Sequence, residues 1–136
     1  MSLTDLLKYS KDLNILYVED EEITQELYTH IFNDIFSIVD TASNGVEALQ
    51  MYLSHEYDIV ISDLCMPKMG GIELCRRIIE QNPLQYIIVM TAYSDDEPVK
   101  EIQKLGINTF LSKPIQNEDL INVLYEISKK ANEVKS

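Results

Sequence analysis

Short apolar runs alternate five times with longer stretches in which apolar residues recur at helical spacing. The short runs are rich in β-branched and aromatic residues, which favour strands, and several are apolar almost throughout. Parallel strands that are buried on both faces have this character. We therefore predict five strands, covering residues 15–18, 37–41, 59–62, 86–90 and 109–111.

The stretch after each predicted strand carries an apolar stripe, as an amphipathic helix does. We expect each stripe to face the sheet. In chain order the stripes consist of Ile23, Leu27 and Ile31; Val46, Leu49 and Leu53; Cys75, Ile78 and Ile79; Val99, Ile102 and Leu105; and Leu120, Val123, Leu124 and Ile127.

Five βα units with short connections predict a doubly wound α/β domain, because right-handed crossovers place helices on both faces of a parallel sheet. The expected architecture is a three-layer sandwich that covers residues 13–136. Residues 1–12 are expected to form a separate N-terminal arm, or to be in part a leader added to the natural chain. Leu3, Leu6 and Leu7 could give this arm a short helix.

Composition narrows the function further. The net charge of −12 repels phosphate backbones and anionic lipid headgroups, so nucleic acid and membrane surfaces are not expected partners. No apolar run approaches the ~20 residues that span a bilayer, and no secretion leader opens the chain, which predicts a cytoplasmic protein. Cys65 and Cys75 form no CxxC pair and are expected to be reduced thiols.

Polar and charged residues stand where the predicted strands end. Glu19 and Asp20 follow the first strand, Asp63 the third, Thr91 the fourth and Lys113 the fifth. In a parallel sheet these ends meet at one edge, where ligands bind at the point at which the strand order reverses. Neighbouring carboxylates there would repel one another, so a cation is needed, and Mg²⁺ is the natural candidate because it prefers oxygen ligands.

Each of these residues also has an ordinary interpretation when taken alone. Acidic residues such as Asp20 are common at helix N-termini, and a single Thr91 or Lys113 is more often a turn or surface residue. Asp63 directly follows a buried apolar run and is harder to explain in that way. The joint placement of these residues favours a site. His30 and His55 lie at no strand end and are expected at the surface.

Four ordered motifs carry a family resemblance: the pair Glu19-Asp20, the segment 63–71, the pair Thr91-Ala92 and the pair Lys113-Pro114. With them the chain resembles the response regulator receiver domains of bacterial two-component signalling, in particular the single-domain chemotaxis receivers. The resemblance covers about residues 14–131. It implies a flavodoxin-like sheet with the strand order 2-1-3-4-5.

The resemblance also implies a phosphoacceptor and a metal site. Asp63 is implied to receive a phosphoryl group from a sensor histidine kinase. Glu19, Asp20 and Asp63 are implied to bind Mg²⁺ together with the backbone carbonyl of Cys65. Glu19 departs from the commonest pattern, which has Asp at this position, so its longer side chain is expected to reach the ion differently or through water.

Further residues are implied to bind and sense the phosphoryl group. Lys113, the Thr91 hydroxyl and the Ala92 backbone N–H are implied to contact its oxygens. Thr91 and Phe110 are implied to form a switch, with Phe110 where Tyr is frequent. A cis bond is implied between Lys113 and Pro114.

Three classes of function follow from these residues. The expected one is a phosphorylation switch, not an enzyme beyond its own phosphorylation and dephosphorylation, that signals to a downstream protein or output domain. The signalling surface is expected on the helix after the fourth strand, the fifth strand and the last helix, including Lys100, Lys104 and Asn117, where a homodimer could also form. The alternatives are a Mg²⁺-dependent aspartyl phosphohydrolase and an interaction module that is never phosphorylated.

Overall fold

The computed structural model describes residues 2–64, 66, 68–91 and 96–135. Helices and strands alternate along these residues. In chain order they are α1 (Leu3–Ser10), β1 (Asn14–Val18), α2 (Glu22–Asn33), β2 (Ile38–Ala42), α3 (Gly45–Ser54), β3 (Ile59–Asp63), α4 (Gly71–Gln81), β4 (Tyr86–Thr91), α5 (Asp96–Lys104), β5 (Phe110–Ser112) and α6 (Asn117–Lys135).

The five strands form one parallel sheet in the order β2-β1-β3-β4-β5. This confirms the predicted doubly wound fold and its strand order. The predicted strands agree with the structure to within one residue at each end, and β3 and β4 each continue for one more residue, to Asp63 and Thr91. Because β2 lies on one side of β1 and β3 on the other, the strand order reverses between β1 and β3.

Two apolar layers cover the faces of the sheet, as a three-layer sandwich requires. Ile15 and Tyr17 of β1 belong to the layer formed with α2 and α6, whereas Leu16 and Val18 belong to the layer formed with α3, α4 and α5. This alternation is the two-residue period of a strand that is buried on both faces. None of the helices among the described residues is both long and apolar enough to cross a membrane.

The stripe predicted for α2 is confirmed only at Ile31, which is partly buried against the core. Ile23 and Leu27 are 76% and 57% exposed, whereas Phe32 is fully buried and Tyr28 is partly buried against the same core. The helix carries two apolar stripes, and the aromatic one faces the core because it packs against Tyr17. The ring centroid of Tyr28 lies 6.4 Å from that of Tyr17, and the centroid of Phe32 lies 5.1 Å from it. Large aromatic side chains remove more apolar surface from water than the aliphatic pair would.

The stripe predicted for α3 is also confirmed only in part. Leu49 is partly buried against the core, but Val46 and Leu53 are exposed, and Gly45 and Ala48 are buried instead. Small residues face inward here because the N-terminus of α3 is in direct contact with the loop before α4. A Cβ atom on Gly45 would overlap the carbonyl oxygen of Met69, so only glycine fits at this contact. The stripes predicted for α4, α5 and α6 are confirmed, with buried or partly buried residues throughout.

Helix α1 packs against α6, so residues 2–12 share the core of the rest of the chain. Leu6 is fully buried in the layer that contains α2 and α6. The Ser10 hydroxyl donates a hydrogen bond to the carbonyl of Ile35 at 2.8 Å. The rings of Tyr9 and Tyr125 meet edge to face, with centroids 5.7 Å apart. The short helix is present as predicted, but its packing does not set it apart from the domain.

Candidate functional site

The carboxyl ends of β1 and β3 bring the predicted acidic residues together. Val18 pairs with Ser62 in the parallel register, so the next residues, Glu19 and Asp63, leave the two strands side by side. The turn after β1 is held by backbone contacts, since the N–H of Glu19 donates to the carbonyl of Ala42 at 3.0 Å. The site therefore lies at the point where the strand order reverses, as predicted.

Three carboxylates form a compact cluster at this edge of the sheet. One carboxylate oxygen each from Glu19, Asp20 and Asp63 lie within 4.8 Å of one another. Glu19 is 1% exposed and Asp63 is 8% exposed, whereas Asp20 is exposed at the rim. The cluster is thus enclosed on the sheet side and open to solvent on the side of Asp20.

Lys113 reaches this acidic cluster from β5. Its Nζ atom lies 2.9 Å from Oε1 of Glu19 and 3.2 Å from Oδ2 of Asp63. Its backbone N–H donates to the carbonyl of Thr91 at 2.8 Å, which ties the end of β5 to the end of β4. The peptide bond between Lys113 and Pro114 is cis, as predicted.

The cluster holds more negative than positive charge. Burial raises the pKa of Glu19, and the nearby charge of Asp63 adds to this, while the hydrogen bond from Lys113 acts in the opposite direction. Burial alone would lower the pKa of Lys113, but its hydrogen bond to Glu19 and the charge of Asp63 outweigh that effect and raise it. One ammonium thus faces three carboxylates, which leaves a site suited to a further cation.

The donor set fits Mg²⁺ better than a softer metal. Glu19, Asp20 and Asp63 offer only carboxylate oxygens, which hard divalent ions prefer, and neither histidine lies at the site. Asp20 is exposed, so an ion bound there can keep several of its waters, as Mg²⁺ does. The predicted fourth ligand, the backbone carbonyl of Cys65, lies outside the described residues.

The predicted switch residues lie on the neighbouring strands β4 and β5. Thr91 is buried at the end of β4 and pairs with Ser112 of β5. Phe110, at the start of β5, pairs with Val89 and is partly buried against the layer that contains α5. Ala92, predicted to offer its backbone N–H, lies outside the described residues.

The backbone after β3 is packed tightly beneath Asp63. The N–H of Gly71 donates to the carbonyl of Leu64 at 2.9 Å. A Cβ atom on Gly71 would overlap the carbonyl oxygen of Asp63 and lie 2.7 Å from Cα of Leu64. Gly71 therefore lets the start of α4 approach the strand end that presents Asp63. The sequence marked it only as a junction between loop and helix.

Sequence reasoning missed one side chain that shapes the site. The Gln25 amide of α2 donates to the carbonyls of Glu19 at 2.9 Å and of Ala42 at 3.1 Å, and so fixes the turn below the acidic cluster. A single glutamine in an amphipathic helix gives no sequence signal for such a role.

A surface cavity of about 380 Å³ lies at the other end of the sheet, beyond the amino ends of β3 and β4. Tyr52, Tyr57 and Gln85 are among its lining residues. His30 and His55 are exposed, as predicted. Across the described part of the chain, the acidic cluster is the one grouping of His, Cys, Asp and Glu side chains close enough to share a metal ion.

Comparison with known sequences places this chain in a family. The family model of the response regulator receiver domain matches residues 15–125. The chemotaxis protein CheY of Halobacterium salinarum is 33% identical over 113 residues, which are 83% of this chain and 94% of that protein. A cyclic di-GMP phosphodiesterase of Thermotoga maritima is 35% identical over 107 residues, which are 78% of this chain but 28% of that protein.

Solved structures agree with the sequence comparison. The N-terminal domain of an uncharacterized Wolinella succinogenes protein matches with a TM-score of 0.82 and 32% identity, covering 91% of this chain and 99% of that one. The complex of CheX, CheY, BeF₃ and Mg²⁺ from Borrelia burgdorferi matches with a TM-score of 0.81 and 30% identity, covering 90% of this chain and 97% of that one. The fold, the acidic cluster at the strand ends and these matches together show that the chain belongs to the response regulator receiver domain family.

Proposed function

We propose that this receiver domain is a phosphorylation switch of a bacterial two-component system, in which Asp63 accepts a phosphoryl group from a sensor histidine kinase in a Mg²⁺-dependent reaction. The observation that carries the proposal is the setting of Asp63. Its carboxylate ends a buried strand, lies 3.2 Å from the ammonium of Lys113, and shares the edge of the sheet with two more carboxylates. A nucleophilic carboxylate beside cationic groups is the arrangement that phosphoryl transfer needs.

The transfer is a displacement at phosphorus. A carboxylate oxygen of Asp63 forms a bond to the phosphorus of a phosphohistidine, the P–N bond breaks, and its electron pair returns to the imidazole. Lys113 already forms an ion pair with Asp63, and its ammonium contacts one oxygen of the transferred group. The Thr91 hydroxyl and the Ala92 backbone N–H contact the others.

A metal ion completes the site. Glu19, Asp20 and Asp63 would hold Mg²⁺, with the Cys65 carbonyl as a further ligand. When bound, Mg²⁺ supplies positive charge that offsets the negative charge on the phosphoryl oxygens. The Borrelia burgdorferi CheY complex contains Mg²⁺ together with BeF₃, an imitation of a phosphoryl group, which supports this assignment for a relative of 30% identity.

The output of the switch is a change of surface. Thr91 moves toward the phosphoryl group, and Phe110 then turns inward. Phe110 is only partly buried against the layer that contains α5, so an inward turn would bury its ring further. The surface formed by α5, β5 and α6 then changes, including the exposed Lys100, Lys104 and Asn117. Many proteins signal in this way: a charged modification favours one of two conformations of a segment.

The partners that we propose are proteins in the cytoplasm: the sensor kinase, a downstream protein or output domain, and a second copy of the chain bound through the α5–β5–α6 surface. CheX binds the Borrelia burgdorferi CheY, which is an example of a protein partner. The net charge of −12 disfavours nucleic acid and membrane surfaces as partners.

Two other functions are less well supported. An aspartyl phosphohydrolase would need a second acid two residues after its nucleophile, and this chain has Cys65 there. A receiver that never carries phosphate would be favoured if Asp63, Asp20 or Lys113 were replaced, and all three are present. We therefore assign no enzymatic activity beyond the domain's own phosphorylation and dephosphorylation.

Intact mass spectrometry after incubation with acetyl phosphate and Mg²⁺ tests the proposal. The wild-type protein is expected to gain one phosphoryl group, and Asp63→Asn is expected to gain none. Asp58→Asn is the matched control, because Asp58 lies just before the amino end of the same strand, where it accepts a hydrogen bond from the N–H of Asn14 at 2.8 Å. Absence of any phosphoryl gain in the wild type would contradict the proposal, and steady turnover of phosphomonoesters would support the hydrolase instead.

A further inference from the structure

The side-chain amide of Gln25 bridges the ends of two neighbouring strands at the carboxyl edge of the sheet. Its Nε2 atom lies 2.9 Å from the carbonyl oxygen of Glu19, directly after β1, and 3.1 Å from that of Ala42, the last residue of β2. The amide faces these atoms with its nitrogen, because its own oxygen would repel both carbonyls. Gln25 is half-buried, and it ties α2 to both strand ends.

These hydrogen bonds hold the backbone of Glu19 on both sides. Its N–H donates to the carbonyl of Ala42 at 3.0 Å, and its carbonyl accepts from the Gln25 amide. The carbonyl of Glu19 and the N–H of Asp20 belong to one planar peptide group. The hydrogen bond from Gln25 therefore sets the orientation of that peptide group, and with it the direction in which the chain continues into Asp20.

The Asp20 carboxylate depends on this backbone for its position. The Glu19 carboxylate accepts hydrogen bonds from Nζ of Lys113 at 2.9 Å and from the N–H of Glu21 at 3.3 Å. Within the described part of the chain, in contrast, no group donates a hydrogen bond to the Asp20 carboxylate or forms an ion pair with it. Asp20 is also exposed, so packing does not confine its side chain. Its place in the acidic cluster follows from the orientation of the Glu19–Asp20 peptide.

We propose that Gln25 is a positioning residue for Mg²⁺ binding, because it holds the Glu19–Asp20 peptide so that the Asp20 carboxylate stays beside those of Glu19 and Asp63. This inference rests on the proposed function, which assigns Mg²⁺ to these three carboxylates. Mg²⁺ needs a near-octahedral set of ligands at short distances, whereas Ca²⁺ accepts a more irregular one. Gln25 therefore contributes to the affinity for Mg²⁺ and to the preference for Mg²⁺ over Ca²⁺.

The Gln25→Met variant tests this role, because it removes the donor and keeps a side chain of similar length and helix propensity. Titration with Mg²⁺, followed through the NMR shifts of backbone amides, is expected to show an affinity about tenfold below that of the wild type. Loss of a group that orients a metal ligand has an effect of this size. The affinity for Ca²⁺ is expected to fall less. Unchanged Mg²⁺ affinity, or equal falls for the two ions, would overturn the inference.

The carbonyl carbon of Glu19 reports the hydrogen bond directly in the metal-free protein. A carbonyl carbon is deshielded when its oxygen accepts a hydrogen bond, so the carbon-13 signal of Glu19 is expected to move upfield in Gln25→Met. Glu19 is six residues away from the substitution, so the change of side chain does not itself alter this signal. An unmoved signal would overturn the inference, because Gln25 would then not hold this peptide in solution.

Gln85→Met is the matched control. The Gln85 amide makes the same kind of bridge at the opposite edge of the sheet, with Nε2 3.0 Å from the carbonyl oxygen of Asp58 and 3.2 Å from that of Tyr86. Its Oε1 atom also accepts from the Tyr52 hydroxyl at 2.7 Å, so Gln85→Met is expected to lower the urea midpoint at least as much as Gln25→Met. Its Mg²⁺ affinity is expected to equal that of the wild type. A similar fall in Mg²⁺ affinity for both variants would overturn the inference.

The wild-type titration separates this inference from the proposed function. Failure of the wild type to bind Mg²⁺ would overturn the metal site of the proposed function and this inference together. Binding of Mg²⁺ by the wild type, with equal affinity in Gln25→Met, would overturn this inference alone.

Discussion

Lys113 holds the carboxylate of Glu19 in place, with Nζ 2.9 Å from Oε1 of a side chain that is 1% exposed. A buried carboxylate is strongly destabilising unless it is paired and hydrogen-bonded. The same ammonium lies 3.2 Å from Asp63, so a single cation compensates two acidic residues from neighbouring strands. Lys113 therefore contributes to folding stability as well as to the site.

Removal of the Lys113 charge is expected to destabilise the protein strongly. Lys113→Met leaves Glu19 buried and unpaired beside Asp63, and we expect a loss of about 3 kcal/mol in the free energy of unfolding. Adding Glu19→Gln to this variant removes the unpaired charge. The double variant is therefore expected to be about 1–3 kcal/mol more stable than the sum of the two single effects. Urea unfolding of the wild type, both single variants and the double variant in metal-free buffer measures this coupling.

Lys104→Met is the control for that experiment. Lys104 and Glu101 form an ion pair of 3.7 Å between exposed side chains of α5. Exposed pairs contribute about 0.2–1 kcal/mol, so this substitution is expected to have little effect. Equal losses for Lys113→Met and Lys104→Met would contradict the structural role of Lys113.

Gly71→Ala is expected to disturb the strand end that presents Asp63. The added methyl group would overlap the carbonyl oxygen of Asp63 and lie 2.7 Å from Cα of Leu64, and backbone atoms cannot give way as a flexible side chain can. We expect a loss of about 2–3 kcal/mol in unfolding free energy, the range of overpacking in well-packed cores.

The neighbouring glycine provides the comparison. A methyl group on Gly70 would come no closer than 3.6 Å to the carbonyl oxygen of Leu64, an ordinary contact. Gly70→Ala is therefore expected to unfold within about 0.5 kcal/mol of the wild type, as substitutions without a specific clash do. Similar urea midpoints for the two variants would show that the start of α4 is not as close to Asp63 as we describe.

The acidic site could be predicted from the sequence because its residues stand at the ends of apolar runs. Asp63 and Lys113 are fifty residues apart in the chain, yet they form an ion pair. Parallel strands end at the same edge of a sheet, so order and spacing alone place such residues together. The ion pair between Lys113 and Glu19 could not be predicted, because it depends on how far each side chain reaches.

The orientation of the first two sheet-covering helices could not be predicted from periodicity. Helix α2 carries two apolar stripes, and the sequence does not say that Phe32 will pack against Tyr17 while Ile23 faces water. In α3 the buried face is defined by Ala48 and by the close contact of Gly45, and small residues contribute little to a hydrophobic pattern. Tertiary packing decides such cases.

The N-terminal helix is expected to contribute to the stability of the whole domain. Leu6 is fully buried beneath α6, so Leu6→Ala removes apolar contacts and leaves a cavity, with an expected loss of about 2–5 kcal/mol. Leu3 lies in the same helix but is 47% exposed, and Leu3→Ala is expected to cost far less. Urea unfolding of both variants measures the difference. A loss for Leu6→Ala no greater than that for Leu3→Ala would mean that α1 is not part of the core.

The stability of the protein is expected to fall at alkaline pH, in part through Tyr57. Burial raises the pKa of Tyr57 above its ordinary value of 10.0, and the hydrogen bond to Asp40 raises it further. Above pH 10.0 the unfolded chain loses this proton while the folded protein keeps it, so unfolding becomes more favourable as the pH rises. Below that pH both states hold the proton and the contribution to stability is complete.

Tyr57→Phe removes this titration. At neutral pH it is expected to be about 1 kcal/mol less stable than the wild type, because it loses the 2.7 Å hydrogen bond to Asp40. Above pH 10 its stability is expected to fall less steeply, by up to about 1.4 kcal/mol per pH unit, because one proton fewer is released on unfolding.

Asp40→Asn keeps an acceptor oxygen and leaves Tyr57 buried, so it should retain most of the wild-type slope. Urea unfolding of the three proteins between about pH 8 and pH 11 separates these effects. Parallel alkaline profiles for the wild type and Tyr57→Phe would mean that Tyr57 loses its proton equally in the folded and unfolded states.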